Sequence, residues 1–65
     1  MIGKGSLVVF KELKNHRGCR AIGNVLDTDG DSATVNAYGL YGPGTETEVN
    51  GVPLDEIVET GDAGD

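Results

Sequence analysis

The chain has 65 residues, eleven of them glycine, and no tryptophan. That length allows one domain near the lower limit of core size, too small to enclose by itself a substrate pocket of about 300–1,000 Å³. The net charge of −6 is divided: residues 1–20 hold all five bases and one acid, while the remainder holds ten acids and no base.

In chain order, Ser6-Leu7-Val8-Val9-Phe10-Lys11 is a β-branched and aromatic run that predicts a buried strand. The polar segment from Glu12 to Gly18 predicts a long loop, with one helical turn over Lys11-Glu12-Leu13-Lys14 as an alternative. A second strand follows over Arg20 to Leu26, where Gly23 marks a bulge or bend. Asp27-Thr28-Asp29-Gly30-Asp31 predicts a tight hairpin, because Asp-Gly between apolar runs supplies the positive φ that the turn requires. Ala33, Val35 and Ala37 then alternate with Thr34, Asn36 and Tyr38, the period of a strand with one buried face.

Three glycines and a proline make Tyr38–Gly44 a loop. Thr45, Thr47 and Val49 alternate with Glu46, Glu48 and Asn50, which places both glutamates toward solvent, and Asn50-Gly51 predicts a further turn. Pro53-Leu54-Asp55-Glu56 suits one helical turn with proline first. Ile57-Val58-Glu59 predicts a short closing strand, and residues 61–65 an acidic, flexible tail. The expected fold class is all-β: one small domain over residues 1–60, with about five short antiparallel strands and one helical turn before the last.

This layout resembles the SH3-like small barrels. The opening Gly-Ser-Leu-Val-Val, the central Gly-Asn-Val-Leu-Asp-Thr-Asp-Gly and the closing Pro-Leu-Asp-Glu-Ile-Val-Glu carry the likeness over residues 5–60. Barrels of this layout include KOW and Tudor modules and a plasmid-type dihydrofolate reductase, so the resemblance implies a fold and leaves function open. The reductase motif Val-Gln-Ile-Tyr would fall at Val49-Asn50-Gly51-Val52, where only the valine matches. No catalytic residue carries over.

Elementary chemistry narrows the sites. Asp27, Asp29 and Asp31 imitate the start of a calcium loop, but the positions of its obligatory glycine and bidentate glutamate hold Ser32 and Tyr38. The aspartates read better as turn residues that accept backbone N–H bonds. His16 and Cys19 cannot complete a four-ligand zinc site. Cys19 sits among His16, Arg17 and Arg20, where a reactive thiol is one reading, but a plain loop or strand thiol is the commoner one. Gly3-Lys4-Gly5-Ser6 lacks the strand and leading glycine of a phosphate loop. No enzyme, cofactor or metal is expected.

Two candidate partner-binding surfaces remain. The basic loop offers Lys11, Lys14, Arg17 and Arg20, enough positive charge to grip an acidic partner or phosphates. The apolar loop offers Tyr38, Leu40 and Tyr41, unless Leu40 and one tyrosine fold back onto the core. The expected function is a non-enzymatic interaction or assembly module, docking on a larger protein assembly or on its own copies, such as a virion decoration or head-completion protein. The alternative is a KOW- or Tudor-like nucleic-acid binder, against which the acidic pI of about 4.4 weighs. Without a signal-like or membrane-spanning run, or paired cysteines, the expected location is the cytoplasm, or the virion if phage-encoded.

Overall fold

Alternation along the strands decides which residues become core. The computed structural model describes residues 2–60; the tail expected over 61–65 lies outside them. Five antiparallel strands form one sheet: β1 (Leu7–Lys14), β2 (Arg20–Asp29), β3 (Ser32–Tyr38), β4 (Glu46–Pro53) and β5 (Ile57–Glu59). Spatial order is β4-β3-β2-β1-β5, so the first four strands form a meander and β5 returns to the far side of β1. A 3-10 turn over Leu54–Glu56 makes that return. No α-helix occurs among the described residues.

One face of each strand is buried. Val8 and Phe10 of β1 meet Ala21 and Val25 of β2, Ala33, Val35 and Ala37 of β3, Val52 of β4 and Ile57 of β5, with Leu40 added from the β3–β4 loop. Ile2, Val49 and Leu54 pack against this cluster. No polar or charged side chain is buried among the described residues. Hydrophobic burial is therefore the principal source of stability, at about 1.5–3 kcal/mol for each large side chain fully removed from water.

Small residues permit the close approach of β2 and β3. Gly23 faces Ala37 in the register, and a β-carbon on Gly23 would lie 2.3 Å from the carbonyl oxygen of Asn36. The bend expected at Gly23 is thus a contact that admits no side chain. Irregularities in register occur elsewhere, between Val25 and Asp27 on β2 and between Val9 and Lys14 on β1.

Four features differ from the sequence reading. β1 continues to Lys14, so the expected long loop contracts to residues 15–19 and its alternative helical turn does not form. Pairing of Lys14 with Arg20 explains the extension, since a cross-strand ladder supersedes weak local preference. Asn50-Gly51 is not a turn. It is a bulge inside β4, where Ala33 pairs with Val52 and Val35 with Val49, and Gly51 takes φ 67°. Pro53 precedes the 3-10 turn as its cap instead of opening it. The β2–β3 hairpin tightens to Gly30-Asp31, with Asp29 paired to Ser32 and φ of 63° at Gly30 alone, as a type II′ turn requires.

Gly23→Ala is expected to cost about 3 kcal/mol, the upper end for forcing atoms into a packed site. Gly51→Ala, which adds a left-handed strain but meets open space, should cost about 1–2 kcal/mol. Urea unfolding of both variants checks the ranking; equal losses would mean that β2 and β3 part without penalty.

Candidate interaction site

The β1–β2 loop is built around Asn15. Its side-chain Oδ1 accepts from the backbone N–H groups of Arg17 (2.9 Å) and Cys19 (3.0 Å). Its backbone N–H donates to the Cys19 carbonyl at 2.7 Å, and the Gly18 N–H donates to the Asn15 carbonyl at 2.9 Å. Gly18 takes φ 83°, closing a five-residue turn that a side chain there would strain. Lys14 and Arg20 stand directly opposite each other at its base.

In a meander the β1–β2 and β3–β4 loops share one end of the sheet, and here they touch. His16 Nδ1 lies 3.0 Å from the carbonyl oxygen of Gly39. A carbonyl only accepts, so the ring donates. The β3–β4 loop is itself closed by Gly39 N–H to Thr45 O at 2.7 Å, and Thr45 Oγ1 donates to Gly42 O at 2.7 Å. The two surfaces proposed separately from the sequence therefore meet at one end of the molecule.

Their membership changes on folding. Leu40 is 7% exposed and belongs to the core, so it is withdrawn from the apolar loop surface. Tyr41 projects, 76% exposed. Tyr38 is the last residue of β3 and lies on the sheet's outer face, with its hydroxyl bonded to Asn24 Oδ1. Lys11, Lys14, Arg17 and Arg20 are all exposed. Lys11 stands inside β1, not in the loop expected to hold it, which leaves Lys14, Arg17 and Arg20 at the end that carries His16 and the Tyr41 loop. Cys19 is a free, exposed thiol at this end, and its backbone is fixed by Asn15.

The opposite end is acidic. Asp27, Asp29 and Asp31 occupy the hairpin, and the Leu54 N–H donates to the Asp31 carbonyl at 2.8 Å, bringing Asp55 beside it. Asp27 Oδ1 accepts from the Thr28 N–H at 2.9 Å, but Asp27 and Asp29 stand in β2, so the turn expected over the whole segment is confined to Gly30-Asp31. Among the described residues, no group of three or more His, Cys, Asp or Glu side chains converges as metal ligands would. A third region, lined by Phe10, Leu13, Val49, Val52, Pro53 and Glu56, forms an apolar cleft where β4 faces the end of β1.

Comparison with known proteins finds no matching family model, no matching curated protein and no matching solved structure. No helix among the described residues is long and apolar enough to cross a membrane. The surfaces themselves must carry the functional argument.

The outer face of the sheet was missed by sequence reasoning. Val9 and Val58 oppose each other, as do Val9 and Ile22, and Ile22 and Tyr38. The signal was present in the apolar identity of both faces of Leu7–Phe10, but the register that aligns three other strands with it was not.

Removing the loop-to-loop bond by His16→Ala should cost at most about 1 kcal/mol, because the group is exposed. It should also raise the mobility of residues 15–19 and 39–44 together. Backbone amide order parameters check this; a change confined to one loop would show that His16 does not couple them.

Proposed function

We propose that the chain is an SH3-like barrel serving as a non-enzymatic interaction module that docks an acidic protein surface through its basic, aromatic-tipped end. Strand order, the return of β5 to β1 and the single 3-10 turn before β5 support the barrel reading. The observation that carries the docking reading is the His16–Gly39 contact, which joins the loop of Arg17, with Lys14 and Arg20 at its base, to the loop of Tyr41. An exposed tyrosine contributes contact area at low entropic cost, and an arginine on the adjoining loop supplies carboxylate recognition. The same proposal extends to a role as accessory or structural subunit of a larger assembly, a virion component among them, a reading that rests on small size and simplicity.

A nucleic-acid reading draws on the same juxtaposition, since bases beside an exposed ring suit phosphate contact and base stacking. The protein reading is preferred because Tyr41 is the single strongly exposed ring at that end. Nucleic-acid platforms generally align several.

Pull-down from the native source with the chain as bait checks the proposal. Arg17→Glu with Tyr41→Ala should abolish capture of an acidic partner while leaving the thermal transition unchanged. Capture that survives both substitutions would overturn it. A titration with single-stranded oligonucleotide at low salt separates the second reading: tight binding lost in the same variant would replace a protein partner with nucleic acid.

A further inference from the structure

An antiparallel sheet with one face in solvent ordinarily alternates apolar-in and polar-out. Here the outer face departs from that rule along a continuous line. The registered sequence Val58–Val9–Ile22–Tyr38 crosses β5, β1, β2 and β3. Val58 is 45% exposed, Ile22 39% and Tyr38 36%. Leu7, opposite Asn24, extends the line into a patch. The Tyr38 hydroxyl bonds to Asn24, which leans the phenol diagonally over β2.

The margins of this patch are charged with opposite signs. Arg20 precedes buried Ala21 on β2 and therefore shares the outer face with Ile22; Lys14, registered with Arg20, lies on the same face. Glu46, registered with Tyr38, and Glu48, registered with Asn36, form the opposite margin on β4. A basic corner, an apolar centre and an acidic edge are complementary to their own image.

We infer that this outer sheet face is a homodimer interface, in which a second copy of the chain packs face to face about a two-fold axis. Strands lie about 4.8 Å apart with residues about 3.3 Å apart along them. On that grid, a two-fold axis running diagonally in the interface plane superimposes the Lys14/Arg20 corner of one copy on the Glu46/Glu48 edge of the other. The same axis passes beside Leu7, Ile22 and Tyr38, so these three meet their own counterparts, as an isologous contact demands. A standard interface takes roughly 800 Å² per partner, and the molecule's dimensions of 30 × 27 × 18 Å set the upper limit on what one face can supply. A different protein would have to reproduce this arrangement of both signs around an apolar centre; a second copy supplies it by symmetry.

The dimer shares Lys14 and Arg20 with the loop-end docking proposed above, whereas Arg17 and Tyr41 stand on loops outside the strand face and belong to the docking alone. Sedimentation equilibrium of the full chain up to sub-millimolar concentration tests it. The wild type should behave as a dimer, and Ile22→Glu as a monomer with an intact circular dichroism spectrum. Two charge-reversed chains, Lys14→Glu/Arg20→Glu and Glu46→Lys/Glu48→Lys, should each dimerise at least about tenfold more weakly. An equimolar mixture of the two should recover the dimer mass, an outcome that holds the test open even if Ile22→Glu fails to fold. A wild-type monomer at every concentration overturns the inference and leaves the face to a different partner. So does a dimer unaffected by both reversals, or one lost in Arg17→Glu/Tyr41→Ala, which would place the interface at the loop end. Loss of partner capture with the dimer intact would bear on the docking surface alone.

Discussion

The backbone of Asn36 and Ala37 lies so close to Gly23 that a single added carbon would stand 2.3 Å from a carbonyl oxygen. Around that contact, β2 and β3 present only small or β-branched residues inward: Ala21 and Val25 on one, Ala33, Val35 and Ala37 on the other. Larger side chains come from the periphery, Phe10 from β1, Ile57 from β5 and Leu40 from a loop. Small residues at the centre let the sheet bend over a thin core, and large ones fill its margins. A 65-residue chain has few apolar residues to spend on filling gaps, so close backbone approach substitutes for side-chain volume. The positions of the end loops and of the outer face follow from that bend.

Core alternation was largely legible in the sequence. Ala33, Val35 and Ala37 sit inward as their period requires, Glu46 and Glu48 sit outward, and Ile57-Val58-Glu59 forms the closing strand. What escaped was non-local. Lys11 to Lys14 has no strong strand preference of its own and becomes strand by pairing Lys14 with Arg20. Asn50-Gly51 carries the chemistry of a turn, and the same positive φ serves a bulge when β3 continues alongside. Leu40 reads equally as loop patch or core, and only the folded chain, which brings it into the core cluster, decides.

The outer face is the clearest case of information held by register and not by composition. Val9, Ile22, Tyr38 and Val58 come from four strands, and each is an ordinary strand residue where it stands. Isolated exposed apolar residues need no explanation, whereas a contiguous row of them does. The row appears only when pairing aligns the strands. A one-residue slip of any strand would turn its member inward and send a core residue out. The register that buries the core is therefore the same register that assembles the exposed patch.

The charge division of the sequence acquires a length in the fold. β2 runs from Arg20 at the basic end to Asp29 at the acidic hairpin, ten residues or about 30 Å of extended chain. Exposed charges farther apart through space than the Debye length, roughly 8 Å at physiological salt, are largely screened from one another. The aspartates of Asp27–Asp31 consequently exert little force on an anion approaching Arg17 at the far end. Net charge, which counts both ends together, misstates what each end attracts. The basic loop acts on its surroundings as a cationic surface despite the −6 of the whole chain. Glu12 on β1 and the β4 glutamates lie near enough on the sheet to oppose it, and pairing with a second copy would neutralise the β4 pair against Lys14 and Arg20. In that arrangement Arg17 and Tyr41, carried on loops beyond the strand face, remain free of the paired charges.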